Sequence, residues 1–410
     1  MSHVKKTRNM SPLVDSYWFQ EGPGVRNWQF KDSGIKLLNV ANIEKSGNLN
    51  LNKTSRYLSV EEVDAKYSHF LIDAGDLVIA SSGIAFDTDG MLRTRGAFVD
   101  ESHLPLCLNT STIRFKAKPG ISDLGYLKHW LDSLEFREEI TRRVTGSAQQ
   151  NFGPSHLKAL KITLPPILEQ RRIAAILDKA DALRAKRREA LAQLDSLTQS
   201  IFIEMFGDPA TDSPKWPSIE LDSVAELVTG YPFRSEDYVG LTEGIKLCRG
   251  ANVLPGRLDW RDTACWPYAK VSEADAFQLQ SGDIVMAMDR PWISEGFKLA
   301  QVTAADCPLL LVQRVARIRP SSAITNEYLF SVLSHAMFAR HCKPTETTIP
   351  HISPKDIRSY AFPLPPFPLQ QKFAAFIQSV EVLKATHNAA LQELDRLFAS
   401  LQHRAFQGEL

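Results

Sequence analysis

The sequence predicts an α+β protein. Two similar mixed α/β domains are separated by two long antiparallel coiled-coil helices, as a pseudo-twofold internal repeat. Three observations carry this. The stretch Leu164–Phe206 recurs without a gap 200 positions later as Leu364–Phe406. Leu164, Pro165, Pro166, Gln170, Ala174, Ala175, Leu194, Asp195 and Phe206 keep their residue type in the second copy. Within each copy, apolar residues fall at alternating steps of three and four. The segments ahead of the copies share a weaker series of matched positions. A long-period repeat governs architecture, because each repeat is one structural module.

In order, the chain reads as a first domain over 1–163, a first helix over 164–208, a second domain over 209–363 and a second helix over 364–410. Gly34-Ile35-Lys36-Leu37 in the first domain matches Gly244-Ile245-Lys246-Leu247 in the second, and a turn-rich hairpin signal follows each. Gly75-Asp76 and Gly282-Asp283 are turns, each leading into a short apolar strand. Pro105 and Pro308 introduce another strand, ending in Arg114-Phe115 and Arg317-Ile318. A helix with Tyr126-Leu127 or Tyr328-Leu329 near its start comes next, then a polar loop holding Pro154 or Pro354. Ahead of Gly34 the halves do not align: YWFQEGPGVRNWQF does not follow the pattern of Trp216–Gly230. A Pro- and Asp-rich linker after Gly207 joins the halves.

Each long helix starts after a Pro-Pro pair, where a helix tolerates proline. Its apolar seam is read as Ile173, Ile176, Leu183, Arg187, Leu194 and Leu197 in the first copy. The second copy gives Phe373, Phe376, Leu383, His387, Leu394 and Leu397. Antiparallel pairing puts the polar Arg187 and His387 near one level, where they can set register. About 39 residues at 1.5 Å each make a rod of roughly 58 Å.

With 410 residues, 44% hydrophobic and 23% charged, the chain has core material for two or three soluble domains. It has no apolar run long enough to span a membrane. The N-terminus has no secretion-type apolar segment, and Lys5, Lys6 and Arg8 read as a solvated tail. The five cysteines are scattered and never spaced CxxC, which argues against zinc or a disulfide framework and for the reducing cytoplasm. Net charge is +1; residues 1–165 carry 21 basic and 18 acidic side chains, and 209–363 carry 16 and 18. Bulk charge therefore does not mark a nucleic-acid binder, and any such contact must come from local clustering.

The missing motifs narrow the function. There is no GxxxxGK[ST], so no P-loop signal. Gly22-Pro23-Gly24 lacks the third glycine and the preceding strand of a dinucleotide site, and reads as a turn. No Asn-Pro-Pro-aromatic motif, nuclease-like acidic cluster or nucleophile elbow is present. His69, His103 and His156 read as surface or loop residues rather than metal ligands. The expectation is a chain with no catalytic residues, metal or cofactor of its own.

Two globular domains, each ending in a polar loop, LPPxxxQ and a long Ala/Leu-rich helix, resemble the specificity subunit of type I restriction-modification systems. LPPILEQRRIAAILDKADALRAKRREAL carries the resemblance most strongly, and its repeat extends the likeness over nearly the whole chain. The resemblance implies that each globular domain is a target recognition domain for one half of a split double-stranded DNA site. It implies that the helices space the two domains and dock two methyltransferase subunits, with restriction/translocase subunits joining that core. Two unlike domains imply an asymmetric target, and a stiff spacer implies a fixed gap. Base reading calls for Arg, Lys, Asn or Gln in loops. The candidates are Lys53, Arg56, Arg93 and Arg95 in the first domain, and Arg249, Asn252, Arg257, Arg290, Trp292 and Lys298 in the second. Arg95 and Arg290 stand out, since both follow the Gly-Asp strand of their half. A related complex outside type I, a self-contained methyltransferase-nuclease and a coiled-coil adaptor without DNA reading are the competing readings.

Overall fold

The structure is a computed structural model that describes residues 10–82, 91, 93–144, 151–211, 215–294, 296–342 and 350–410. The basic tail Lys5, Lys6 and Arg8, most of the loop after Ala80 and parts of the two polar loops lie outside the described residues. The chain forms two compact units: Met1–Arg188 with Ala389–Leu410, and Glu189–Asn388. Each unit combines one globular domain with a half of each long helix, Ile167–Phe206 and Phe367–Gln407.

In the first unit, a four-stranded antiparallel sheet runs in the order Tyr17–Glu21, Thr112–Ala117, Leu77–Ala80, Gly96–Phe98. A second sheet pairs Ile35–Leu38 antiparallel to Tyr57–Leu58 and parallel to Leu106–Leu108. Met10–Pro12 pairs with Lys161–Thr163. The apolar face of the larger sheet, with Leu77, Ile79, Ile113 and Phe115, packs on Tyr126, Leu127 and Trp130 of the helix Leu124–Leu131. Asp123 caps that helix by accepting the Tyr126 N–H at 2.9 Å.

The second unit repeats the plan. Its larger sheet runs Ala225–Thr229, Val315–Pro320, Ile284–Ala287, Leu299–Gln301, again antiparallel. Gly244–Cys248 pairs parallel with Leu309–Leu311, and Ser218–Glu220 pairs with Ala361–Pro363. The structure corrects the N-terminal mismatch read from sequence. Met10–Pro12 and Tyr17–Glu21 are the counterparts of Ser218–Glu220 and Ala225–Thr229, because each makes the same pairing in its own unit. Sequence comparison missed this because only backbone pairing is kept there, with one shared glycine. Gly22 and Gly230 donate equivalent hydrogen bonds, to Thr112 at 3.0 Å and Val315 at 3.1 Å.

The Gly-Asp turns are also matched. Asp76 accepts the Asp73 N–H at 3.0 Å, and Asp283 accepts the Gln280 N–H at 2.8 Å. Asp283 is further held by a two-pronged contact from Arg319 at 2.6 and 2.8 Å. Burial pushes the Asp76 carboxyl above its usual range, with the Asp73 N–H, Lys116 and Arg114 opposing.

The LPPxxxQ motif ties each long helix to its domain. Gln170 is buried; its amide donates to Pro165 and Ile121, both at 2.8 Å, and its carbonyl accepts the Asp123 N–H at 2.9 Å. Gln370 donates to Pro365 at 2.8 Å and accepts the Thr325 N–H at 2.9 Å. Tyr126 and Tyr328 donate to the carbonyls of Thr163 and Pro363, at 2.7 and 2.6 Å. One glutamine and one tyrosine thus join helix start, strand end and neighbouring helix in both units.

Within each unit the helix halves run antiparallel. In the first, Ile173, Leu177 and Ala180 share a core with Phe398, Ala405 and Phe406, and Arg184 pairs with Asp395 at 2.6 Å. In the second, Phe202 and Phe206 pack on Phe373, with ring centroids 5.9 and 5.2 Å apart, and Lys384 pairs with Asp195 at 2.9 Å. The two ion pairs are one contact repeated, since Arg184 and Lys384, like Asp195 and Asp395, occupy matched positions.

The residues read as the seam from sequence differ in burial. Ile173 and Phe373 are buried, and Ile176, Arg187, Leu194, His387 and Leu394 are half-buried. Leu183, Leu197, Phe376, Leu383 and Leu397 instead keep 43–50% of their surface exposed. From Ala180 and Val380 the buried face steps to Arg184 and Lys384, not to Leu183 and Leu383. Apolarity alone selects the leucines. The charged residues win because an aspartate on the facing helix half answers each, and the Arg184 guanidinium lies over the Phe398 ring at 4.3 Å.

Candidate nucleic-acid interface

In both units the larger sheet ends in an edge that collects several loops. In the first, Ser81 donates to Ser111 at 2.9 Å, Phe152 donates to Ser81 at 3.0 Å, and Ala80 donates to Arg95 at 2.9 Å. In the second, Met288 donates to Arg314 at 2.9 Å, Ile352 to Met288 at 2.9 Å, and Ala287 to Lys298 at 3.1 Å. The backbone frame is the same, while the side chains it displays differ. Arg95 and Lys298 occupy one structural position, as do Ser111 and Arg314. Ser111, Arg290 and Arg314 all have left-handed backbone, with φ of 64°, 46° and 68°.

The edge gathers some of the candidates named from sequence and not others. Arg95 is half-buried and Arg290 exposed, and among the described residues neither side chain has a hydrogen bond or ion-pair partner. Lys298 is buried, and its ammonium donates to the Gly250 carbonyl. Burial, then the Arg290 charge, hold its pKa below the ordinary lysine value. Asn252 is 1% exposed; its amide donates to Asp259 and Asp262 at 2.9 and 2.8 Å, and its carbonyl accepts the Arg249 N–H at 3.1 Å. Arg249 reaches the Asp262 carbonyl at 2.6 Å. Arg249, Asn252 and Lys298 thus hold the loop after Gly244–Cys248 against the edge. Trp292 is half-buried and packs on Phe297, ring centroids 5.2 Å apart. Arg257 is exposed on a separate hairpin.

In the first unit, Arg56 stacks on Phe30 at 5.0 Å and reaches Asn39 at 3.4 Å. Asn39 accepts from Asn109 at 2.8 Å, which connects Arg56 to the edge through the turn before Thr112–Ala117. Lys53 pairs with Glu44 at 2.9 Å and Arg93 with Asp132 at 3.5 Å. Sequence reasoning passed over Arg314 and His351, which meet Asp289 at the second unit's edge. The available signal was the spacing behind proline: Ser111 follows Pro105 as Arg314 follows Pro308.

Among the described residues no group of three or more His, Cys, Asp or Glu side chains could hold a metal ion. No described helix is long and apolar enough to cross a membrane. The model of the type I restriction modification DNA specificity domain matches residues 30–193 and 216–396. The chain belongs to that family. Both matched segments carry one sheet edge and part of a long helix, so the family's repeat coincides with the structural one.

The EcoAI specificity subunit of Escherichia coli is 32% identical over 183 residues, which is 43% of this chain and 31% of that protein. The MjaVIII specificity subunit of Methanocaldococcus jannaschii is 23% identical over 319 residues, 74% of each chain. The EcoKI specificity subunit of Escherichia coli K12 is 24% identical over 308 residues, 70% of this chain and 65% of that one. The chain therefore spans under a third of the EcoAI subunit and about two thirds of the EcoKI subunit. The type I restriction-modification S subunit from M. genitalium shares the fold, with a TM-score of 0.54 at 14% identity over 99% of this chain and 98% of that one. So does a chain from work on complex assembly and conformational transition of the type I R-M system, with a TM-score of 0.51 at 18% identity over 96% and 98%.

Proposed function

We propose that this chain is the non-catalytic DNA-specificity subunit of a type I restriction-modification complex. Residues 1–163 and 209–363 act as target recognition domains for the two parts of an asymmetric double-stranded DNA site. The helices 164–208 and 364–410 space them and dock two methyltransferase subunits, to which restriction subunits add. The observation that carries this reading is the repeated sheet edge: one backbone frame built twice, with Arg95 and Ser111 on one copy and Lys298, Arg290 and Arg314 on the other. A shared frame with unlike side chains is what two readers of unlike sequences require. Arg95, Arg290 and the exposed Arg257 are the candidates whose side chains can reach DNA. Arg249, Asn252 and Lys298 support the reading loop from within, and Trp292 backs it.

Docking has support of its own. Each unit exposes one leucine from each helix half, Leu183 with Leu397 and Leu197 with Leu383. Isolated exposed leucines are ordinary, but a pair recurring at matched positions in each unit gives each unit a place for a partner helix.

The test is methyl transfer to DNA by the purified chain, with and without type I methyltransferase subunits. The reading expects no transfer by the chain alone and sequence-specific transfer by the complex. Transfer by the chain alone makes it an enzyme; transfer by the complex without sequence preference leaves an adaptor.

A further inference from the structure

At the second unit's sheet edge, Arg314 makes contacts with Asp289 and His351 that the assignments above do not use. Arg314 and Arg290 are exposed non-glycine residues with left-handed backbone, φ 68° and 46°. That conformation crowds a side chain against its own backbone, and it persists where the surroundings over-determine it. Here they do. The Arg314 carbonyl accepts the Met288 N–H, and the Arg290 N–H donates to Pro350, both at 2.9 Å. Ser111 of the first unit takes the same conformation at the same place. The left-handed position is therefore built into both edges, whatever side chain it displays.

The Arg314 side chain is oriented by two neighbours. Its Nε lies 3.7 Å from Asp289 Oδ2, and its Nη1 3.5 Å from His351 Nε2. His351 Nδ1 is bonded to Asp289 Oδ1 at 2.6 Å, and the two residues form an isolated antiparallel backbone bridge. The Arg314 side chain keeps 54% of its surface exposed. Asp289 discriminates between two ways of meeting DNA. A carboxylate beside the guanidinium answers part of its charge and repels phosphate. It does not repel a neutral base, and a planar fork held in place matches the O6 and N7 acceptors of guanine.

The geometry points to Arg314 as a specificity-determining residue that reads a guanine from the major groove in the half-site met by the second unit, with Asp289 and His351 as positioning residues. This rests on the DNA-reading assignment above. The Ser111 hydroxyl cannot make a two-pronged contact, so this guanine requirement belongs to one half-site only.

The experiment uses the full chain produced with type I methyltransferase subunits in cells that lack any other such system, with methylated sites mapped across the genome. The wild-type motif is expected to contain an invariant guanine that R314A relaxes, while the other half-site keeps its sequence. Binding of the wild-type target duplex should fall about 10- to 100-fold. R314K keeps the charge and loses the fork, and should relax the same position. D289N should weaken preference at that position alone. An unchanged motif with both R314A and R314K overturns the assignment. So does a uniform loss of methylation with R314K when its thermal unfolding matches wild type, since that is the mark of a phosphate or structural contact. If the wild-type complex imposes no motif, the DNA-reading assignment itself fails.

Discussion

Gly22 and Gly230 show how a single residue can be fixed by its surroundings and still be hard to recognise. A Cβ on Gly22 would lie 2.2 Å from the Asn109 carbonyl oxygen, and one on Gly230 2.3 Å from that of Val312. Both are the first residue past a sheet strand, where two backbones nearly touch. In the sequence they sat in segments that do not align, because everything around them had diverged. Gly230→Ala should destabilise the second unit by about 1–3 kcal/mol through overpacking, read as a lower melting temperature; an unchanged melting curve contradicts the close approach. At the reading edge, Arg290 was visible from its place after a recognisable strand. Arg290→Ala should weaken binding of the recognised duplex by roughly 1–3 kcal/mol and relax one base position. A methylation pattern identical to wild type removes it from the interface. Asn252 was chosen on residue type, and its burial was not legible, because the hydrogen bonds that consume its amide come from backbone atoms seven and ten residues away.

The long helices were the most legible elements, since length, start and repeat follow from the Pro-Pro pair and the spacing of apolar residues. Their facing was less so. Charged residues in a seam are invisible to an apolar template, and only the matched aspartates on the other helix reveal them. Gln170 and Gln370 are a further case: the repeat marks them, but their work needs the fold. Gln370→Leu leaves the Thr325 N–H and the Pro365 carbonyl without this partner. It should cost about 1–3 kcal/mol for each group left unsatisfied. A thermal-shift comparison with wild type checks this, and equal stability would place the helix start under other control. The exposed leucines give an element-scale prediction for assembly. Leu183→Asp with Leu383→Asp should leave the isolated chain folded, because neither side chain is in a core, and should weaken its association with methyltransferase subunits. Full association of the double variant in size-exclusion chromatography removes that face from the docking surface.

For the molecule as a whole, a net charge of +1 makes the arrangement of charge the determinant of DNA affinity in the proposed function. Among the described residues, Arg93 and Arg249 pair with aspartates and Lys298 is buried, which withdraws them from phosphate in the proposed reading. Affinity should still fall linearly on a log-log plot against salt, by about 0.9 per phosphate contacted. A shallow slope with retained sequence preference fits readers that rely on base contacts, while a steep slope with no preference does not. The domain repeat was legible because the strands after Gly-Asp and after the matched prolines keep their composition. The identity of the bases was not, because loop side chains reach them one at a time and leave no pattern. The most direct measurement is a genome-wide map of methylated bases in cells that make this chain together with type I methyltransferase subunits. The account predicts one motif in two unlike parts, separated by a gap of fixed length. A continuous palindrome, or no motif at all, would contradict it.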